Sequence, residues 1–326
     1  MIHSSILGKI IGVASTSRQP IVTYRFSSLQ DLGKDQGQSP VFATSDVKLD
    51  NIPIYSVTPD QIEKQKEKLP DIDLPDETDG IICFEAVSST QSILEKVHAV
   101  EEFSELSMVV TSNVQIEGRG RRSVRNWTSP VGCAMVSFTH RFKLDSILGK
   151  KLGFLQHLVS LSIVNSFPEI ESLRIKWPND VYYKHSKIAG LIVNCSLSAD
   201  QHYVSAFIGC GINVDNDKPT DYLNRILKED LGLDAKLTTG QVISKVINNF
   251  KKLTKSIKTE QDFIAVKKQY VSKWMHSNQE IVVDGQTWQI IGVDDQGFLL
   301  VKDVNSGVKT SVGMDWEDFS LPVVVN

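Results

Sequence analysis

The stretch DGIICFEAV, Asp79 to Val87, is after its leading aspartate an apolar run interrupted only by Glu85. A half-buried strand alternates apolar and polar side chains, so a continuous run is the signature of a strand buried on both faces. Further strands are predicted in SMVVTS (Ser107–Ser112), CAMVSFTH (Cys133–His140), LRIKW, KIAGLIVNCSL and HYVSAFIGCGINV. Between them, QSILEKVHAVEEF carries apolar residues at helical spacing, with Ser88, Ser89 or Thr90 as its cap. The spacing also predicts a long central helix over Asp145–Phe167 and helical structure from Asp221 to about Met275. Strands and helices do not alternate strictly. The predicted fold class is therefore α+β, a mixed or antiparallel sheet with helices packed largely on one face.

Two ends differ from this body. Residues 1–75 have weak apolar periodicity and end in a charged, Pro/Asp-rich linker, and read as a poorly ordered or auxiliary extension. Residues 1–30 hold Lys9, Arg18 and Arg25 with no Asp or Glu, a composition that suits a mitochondrial transit peptide. Residues 276–326 break into short strands divided by Gly-bearing turns, which suggests a small antiparallel barrel. The main domain is thus expected over residues 76–275.

The chain of 326 residues has 35 Lys and Arg against 39 Asp and Glu, a formal charge of −4. A general nucleic-acid binder would carry a basic surplus, so no nucleic-acid partner is expected. No apolar run approaches the roughly 20 residues of a membrane span. Cys83, Cys133, Cys195 and Cys210 lie in β-like runs without metal-ligand spacing and read as buried free thiols. His98, His157 and His185 stand near no nucleophile in sequence.

Against that acidic background, QIEGRGRRSVRNWTSPVGCA concentrates Arg119, Arg121, Arg122 and Arg125 within seven positions. Gly118 and Gly120 permit close backbone approach, guanidinium forks suit carboxylate and phosphate, and Trp127 offers a flat stacking face. The segment lacks the third glycine of a dinucleotide-binding loop and is not a Walker A loop. A second motif, KWPNDVYYKHSKIAG, runs a strand into Pro178 and presents Asn179 and Asp180 at its end. Asp180 could be an oxygen ligand for Mg²⁺, and Lys176 and Lys187 could neutralise phosphate; a plain hairpin turn with solvated lysines reads the same residues as well. A third, IGCGINVDN, ends a strand in Gly-x-Gly followed by Asn213.

The order of these motifs, S-S-T after a strand, then QIEGRGR…W-x-S-P-V-G-C-A, KWPND…KIAG and GCGINV, resembles biotin protein ligases, most closely the eukaryotic holocarboxylase synthetases. The resemblance covers about Gly80 to the C-terminus. It implies a fold like the class II aminoacyl-tRNA synthetases with an SH3-like barrel appended. It implies that biotin is activated with ATP to biotinyl-5′-AMP, and is then passed to one lysine of the carboxyl carrier domain of a carboxylase. By the same resemblance Ser89, Thr90 and Gln115 look like contacts to the ureido ring of biotin. Gly118, Arg119, Gly120 and Arg121 look like the loop that covers biotin and the adenylate phosphate. Trp127 looks like the residue that packs on adenine, and Lys176, Asn179, Asp180 and Asn213 like the ATP and Mg²⁺ side. Lys187 looks like the contact to the biotin carboxylate, and Arg121 and Lys187 like the charge-stabilising pair. A cytoplasmic enzyme is expected, with the mitochondrion as the alternative compartment; a homodimer stays open.

One feature departs from the pattern. Five residues, Arg122 to Asn126, separate Arg121 from Trp127 where the family usually has four, and Ser123 or Val124 stands where glycine is common. Alternatives are a lipoate or octanoate ligase, which should lack this loop together with WPND, an RNA- or partner-binding module using the arginines, and an inactive relative.

Overall fold

The computed structural model describes residues 23–26, 72–99, 103–118, 127–216, 220–283 and 285–313. The N-terminal extension and its transit-peptide reading therefore fall almost wholly outside the described residues, as do positions 119–126 of the arginine loop.

The body is a nine-stranded mixed sheet. Its strands are β1 (Thr23–Phe26), β2 (Gly80–Val87), β3 (Met108–Gly118), β4 (Trp127–Ser129), β5 (Cys133–Lys143), β6 (Leu173–Lys176), β7 (Asp180–Tyr183), β8 (Ser186–Leu197) and β9 (Tyr203–Asn213). They run β1-β2-β3-β5-β9-β8-β7-β6, with β4 added to β3. β1, β2 and β3 are mutually parallel and the other pairs antiparallel. β1 lies within the segment read as auxiliary, and a four-residue strand there carries too little periodicity to stand out.

The apolar run of β2 serves two cores. Ile81 and Cys83 belong to the larger cluster, Ile82 and Phe84 to the smaller one on the opposite face. Successive strand side chains alternate faces, so both faces of β2 are buried. The smaller core is closed by α1 (Thr90–His98), which packs Ile93 and Leu94 against Val110 and Phe207 and lies on β3, β5 and β9. The other face carries α2 (Leu155–Asn165), α3 (Thr239–Ser256) and α4 (Glu260–Lys273). Helices α3 and α4 each begin with a reciprocal capping box, Thr238 with Gln241 and Thr259 with Asp262, which satisfies two otherwise orphaned N–H groups per helix. Central helix α2 tolerates buried Ser160 and Ser162 because their hydroxyls donate to the carbonyls of Gln156 and Leu158, at 3.1 and 2.7 Å.

The single long helix expected over Asp145–Phe167 is shorter. Gly149–Phe154 is a 3₁₀ segment kinked at Lys151, and only the part from Leu155 is α-helical. Packing overrides propensity here. A Cβ at Gly149 would strike the carbonyls of Lys143 and Leu144, and one at Gly153 the carbonyl of Gln296. The helical region expected from Asp221 is also broken. A short helical segment, Leu223–Asp230, is followed by irregular chain through Gly232 at φ +65° before α3 begins.

The C-terminal part is a four-stranded antiparallel sheet in chain order, β10 (Glu280–Val283), β11 (Gln286–Val293), β12 (Leu299–Asp303) and β13 (Lys309–Val312). Residues 314–326 lie outside the described residues. The β11–β12 turn seats on the body. Asp295 accepts from Lys151 Nζ at 2.7 Å and Lys267 Nζ at 2.5 Å, and these two ammonium groups hold its carboxyl below the usual carboxylate range. Cys83, Cys133 and Cys210 are buried as expected, but Cys195 is exposed because the end of β8 extends past the covering elements. Among the described residues no helix is long and apolar enough to cross a membrane.

Candidate functional site

Among the described residues, Thr90, Gln115, Asp180 and Lys187 gather on the sheet face that carries α1. The first cluster forms where β2 gives way to that helix. Ser89 is its N-cap and accepts from the Ser92 N–H at 3.5 Å. Thr90 follows, and its backbone N–H and hydroxyl both donate to Gln115 Oε1, at 2.9 and 3.2 Å. The Thr90 hydroxyl proton is thus committed, so the hydroxyl of Ser137, 2.9 Å away, donates to Thr90. Gln115 lies beside Val87 in the β2–β3 register, so adjacent parallel strands bring the S-S-T turn and the glutamine together. All four of Ser89, Thr90, Gln115 and Ser137 are buried.

The second cluster lies across the sheet. Register aligns Met135, Gly211, Gly190 and Asp180 on β5, β9, β8 and β7, with Ser137, Gly209 and Ile192 in the parallel row two residues away. At about 4.8 Å per strand, the span from β5 to β7 is roughly 14 Å. Glycines floor this span. A Cβ at Gly190 would stand 2.9 Å from Lys187 Nζ and 3.3 Å from Asp180 Oδ1. One at Gly209 would stand 2.7 Å from Gln91 Oε1 and 3.3 Å from Ser137 Oγ. A larger residue at either position would fill the surface on which the polar groups meet.

Over Gly190, Lys187 Nζ pairs with Asp180 Oδ1 at 2.7 Å, both side chains being about a quarter exposed. Lys176, opposite Asp180 in the β6–β7 ladder, lies 5.4 Å from the Tyr182 ring. Burial lowers the Lys176 pKa; Asp180 opposes this and Lys187 adds to it. Burial, then Asp180, raises that of the Tyr182 phenol. Two ammonium groups around one carboxylate make a region suited to anions.

Asn179 and Asn213 are committed to the scaffold. Asn179 Nδ2 donates to the Leu191 carbonyl at 2.6 Å, and its own carbonyl accepts from the Leu191 N–H at 3.1 Å. Asn213 Nδ2 donates to the Lys187 carbonyl at 3.1 Å and to Thr220 Oγ1 at 2.5 Å, while its Oδ1 accepts from the Cys133 thiol at 3.3 Å. Asn213 thereby fixes the backbone of Lys187.

Gly118 ends β3 and faces Trp127 across the β3–β4 ladder. The arginine-rich connection thus leaves and re-enters at one paired rung. Arg119, Gly120 and Arg121, with Arg122 and Arg125, fall outside the described residues, as does the side chain of Trp127. The sequence reading missed Ser137 and the Gly190 floor. An isolated serine in an apolar strand carries no local signal, and a glycine's role as a floor depends on what lies above it.

The biotin/lipoate A/B protein ligase family matches residues 83–213, the interval that contains both clusters. The chain is 34% identical to a human biotin–protein ligase over 243 residues, which is 71% of this chain and 33% of the human protein. It is 29% identical to biotin–protein ligase 2 of Arabidopsis thaliana, covering 66% of this chain and 67% of that one. The chain therefore spans about a third of the length of its human relative and about two thirds of the plant one. In structure it resembles a variant biotin protein ligase from Aquifex aeolicus in complex with biotin, with TM-score 0.51 and 24% identity over 72% of this chain and 95% of that one, a likeness of fold. Residues 83–213 thus match the biotin/lipoate A/B protein ligase family, and the most similar relatives of the chain include biotin–protein ligases.

Proposed function

We propose that this chain is an ATP-dependent biotin–protein ligase. One observation carries the reading: a buried polar cluster at Thr90, Gln115 and Ser137 and a cationic cluster at Lys187 and Lys176 share one glycine-floored sheet face. That arrangement suits an extended molecule with a polar, uncharged head and a carboxylate tail. With Gln115 Oε1 occupied by Thr90, the amide NH₂ of Gln115 is the donor for a ureido carbonyl, and Ser89 and Thr90 complete the head site. Lys187 meets the carboxylate.

In the first step a biotin carboxylate oxygen attacks the α-phosphorus of ATP, the bond to the bridging oxygen breaks, and pyrophosphate leaves. Two anions must approach each other, so the step needs cations rather than a strong base. Lys187 and Arg121 offset the repulsion and the charge that develops at phosphorus, while the fixed sheet holds the reactants in line. Gly118, Arg119 and Gly120 belong to the loop that covers the adenylate, and Trp127 stacks on adenine. In the second step the neutral amine of a carrier-domain lysine attacks the acyl carbon, AMP leaves, and an amide remains.

Mg²⁺ enters this scheme with ATP. Among the described residues no three His, Cys, Asp or Glu side chains gather as a metal site. The single carboxylate of Asp180, beside Lys187, fits an ion that brings phosphate oxygens and water as its other ligands. Bound there, Mg²⁺ would neutralise charge on the departing pyrophosphate. Lys176 stands on the same side, and Asn179 and Asn213 act by holding the turn and Lys187 in place.

The acceptors are biotin carboxyl carrier domains, in the cytoplasm or, through the acid-free N-terminus, the mitochondrion. No nucleic-acid or membrane partner belongs to this reading, and sedimentation decides between monomer and homodimer. The test supplies labelled biotin, ATP and Mg²⁺ with an isolated carrier domain and the same domain with its acceptor lysine changed to arginine. Label on the first and not the second is expected; label on neither contradicts the proposal.

A further inference from the structure

The turn that presents Asn179 and Asp180 is tied to the C-terminal part through Trp177, two residues before Asn179. Its backbone N–H donates to His276 Nε2 at 3.0 Å, and its indole N–H donates to the Gly297 carbonyl at 2.9 Å. The same carbonyl lies 2.9 Å from His157 Nε2, on α2. Immediately upstream, Ile175 bridges Trp274 in parallel, and the Met275 N–H donates to the Ile175 carbonyl at 3.0 Å. The strand leading into the site is thus stitched, residue by residue, to the segment that leads into the second sheet.

The His276 contact has a defined chemistry. A backbone N–H can only donate, so Nε2 is the acceptor and carries no proton. Nδ1 then holds the ring proton and donates to Gln279 Oε1 at 2.9 Å. His276 is fully buried, and burial lowers its pKa to about 4, keeping it the neutral acceptor this bond requires. The Gly297 contact is equally constrained. This residue sits at φ +83°, and a Cβ there would collide with the His157 ring and stand 3.0 Å from the Gly153 carbonyl. Only glycine brings that carbonyl so close to the indole.

We infer that His276, fixed as its Nδ1–H tautomer, is a positioning residue for the Lys176–Asp180 segment, so that docking of the C-terminal sheet sets the geometry of the nucleotide side of the site. The ligand named here rests on the proposed function; the geometry does not. Nothing in the contact reaches Thr90, Gln115 or Ser137, so the head site should not feel it.

The experiment compares the full chain with His276→Leu and His276→Gln. Glutamine's Oε1 reaches the place of Nε2 and can accept from Trp177; leucine cannot. Calorimetric titrations with ATP and Mg²⁺ and, separately, with biotin are read beside hydrogen exchange of segment 175–181. His276→Leu should weaken ATP binding about tenfold, leave biotin affinity within about twofold and speed exchange of the segment; His276→Gln should restore most of both losses. Equal loss of both ligands, or unchanged ATP affinity and exchange in His276→Leu, overturns the inference. If His276→Leu does not fold, His276→Asn replaces it, because an asparagine amide reaches only the Nδ1 position. If the parent binds no ATP, the functional reading fails, and hydrogen exchange alone then decides the positioning role by the same comparison.

Discussion

Lys187 Nζ and Asp180 Oδ1 lie 2.7 Å apart across the bare Cα of Gly190. Two strands and one missing side chain produce this. β7 and β8 pair Asp180 with Gly190, a register shift between Val181 and Tyr182 brings Lys187 opposite Tyr182, and the absent Cβ leaves room for the ammonium group.

Gly190→Ala places a methyl 2.9 Å from Lys187 Nζ. The lysine is flexible and can swing away, so the melting temperature should move by no more than a few degrees, as for about 1 kcal/mol. The Lys187–Asp180 pair should not survive. Adenylate formation is expected to fall at least tenfold; parent-like turnover with a parent-like melting curve would show that the floor is not needed.

Asp180→Asn keeps the shape and removes the charge. Loss of a charge-assisted contact to a cation costs about 1.5–3 kcal/mol, so kcat/KM for Mg·ATP should drop roughly ten- to a hundredfold. The Mg²⁺ concentration for half-maximal rate should rise with it. An unchanged Mg²⁺ response removes Asp180 from the metal's surroundings.

Thr90→Val deletes the hydroxyl between Gln115 and Ser137 and retains the volume. Biotin affinity is expected to fall about tenfold while ATP affinity stays within about twofold, measured by separate titrations. Equal losses would place Thr90 in the scaffold rather than the head site. Arg121→Ala, by contrast, should slow adenylate formation by about two orders of magnitude with biotin still bound, as expected when one stabilising donor is lost.

Acid stability follows from buried histidines. His276 and His140 titrate near 4 and 3 in the fold, both lowered mainly by burial, against an ordinary 6.5. As pH falls, the unfolded chain takes up these protons first. Stability is therefore full above about 6.5 and is lost as pH drops toward 4, by an amount on the order of 3 kcal/mol from His276 alone. Denaturant midpoints at pH 7 and 4.5 should show the decline, and His276→Gln should flatten it. A midpoint independent of pH over that range would contradict the burial of these rings.

Much of this was legible in the sequence because it was local. The apolar run of β2, a cap among Ser88, Ser89 and Thr90 ahead of α1 and a strand stopping short of Pro178 each announce themselves within a few residues. What was not legible depends on distant partners. The helix expected from Asp145 yields at Gly149 to the carbonyls of Lys143 and Leu144 just upstream, and at Gly153 to the distant carbonyl of Gln296 in the β11–β12 turn. Ser137 matters only because register sets it against Thr90, and His276 only because it meets Trp177, 99 positions away. For Asn179 and Asn213 only the resemblance implies a ligand role, and the bonds their amides make to the Leu191 and Lys187 carbonyls depend on neighbours that no local pattern names.

The most direct test of the central claim is exchange of labelled pyrophosphate into ATP, run with biotin and, in parallel, with lipoate. Exchange that requires biotin and does not occur with lipoate is the predicted result. Exchange with lipoate instead, or with neither, would contradict the account.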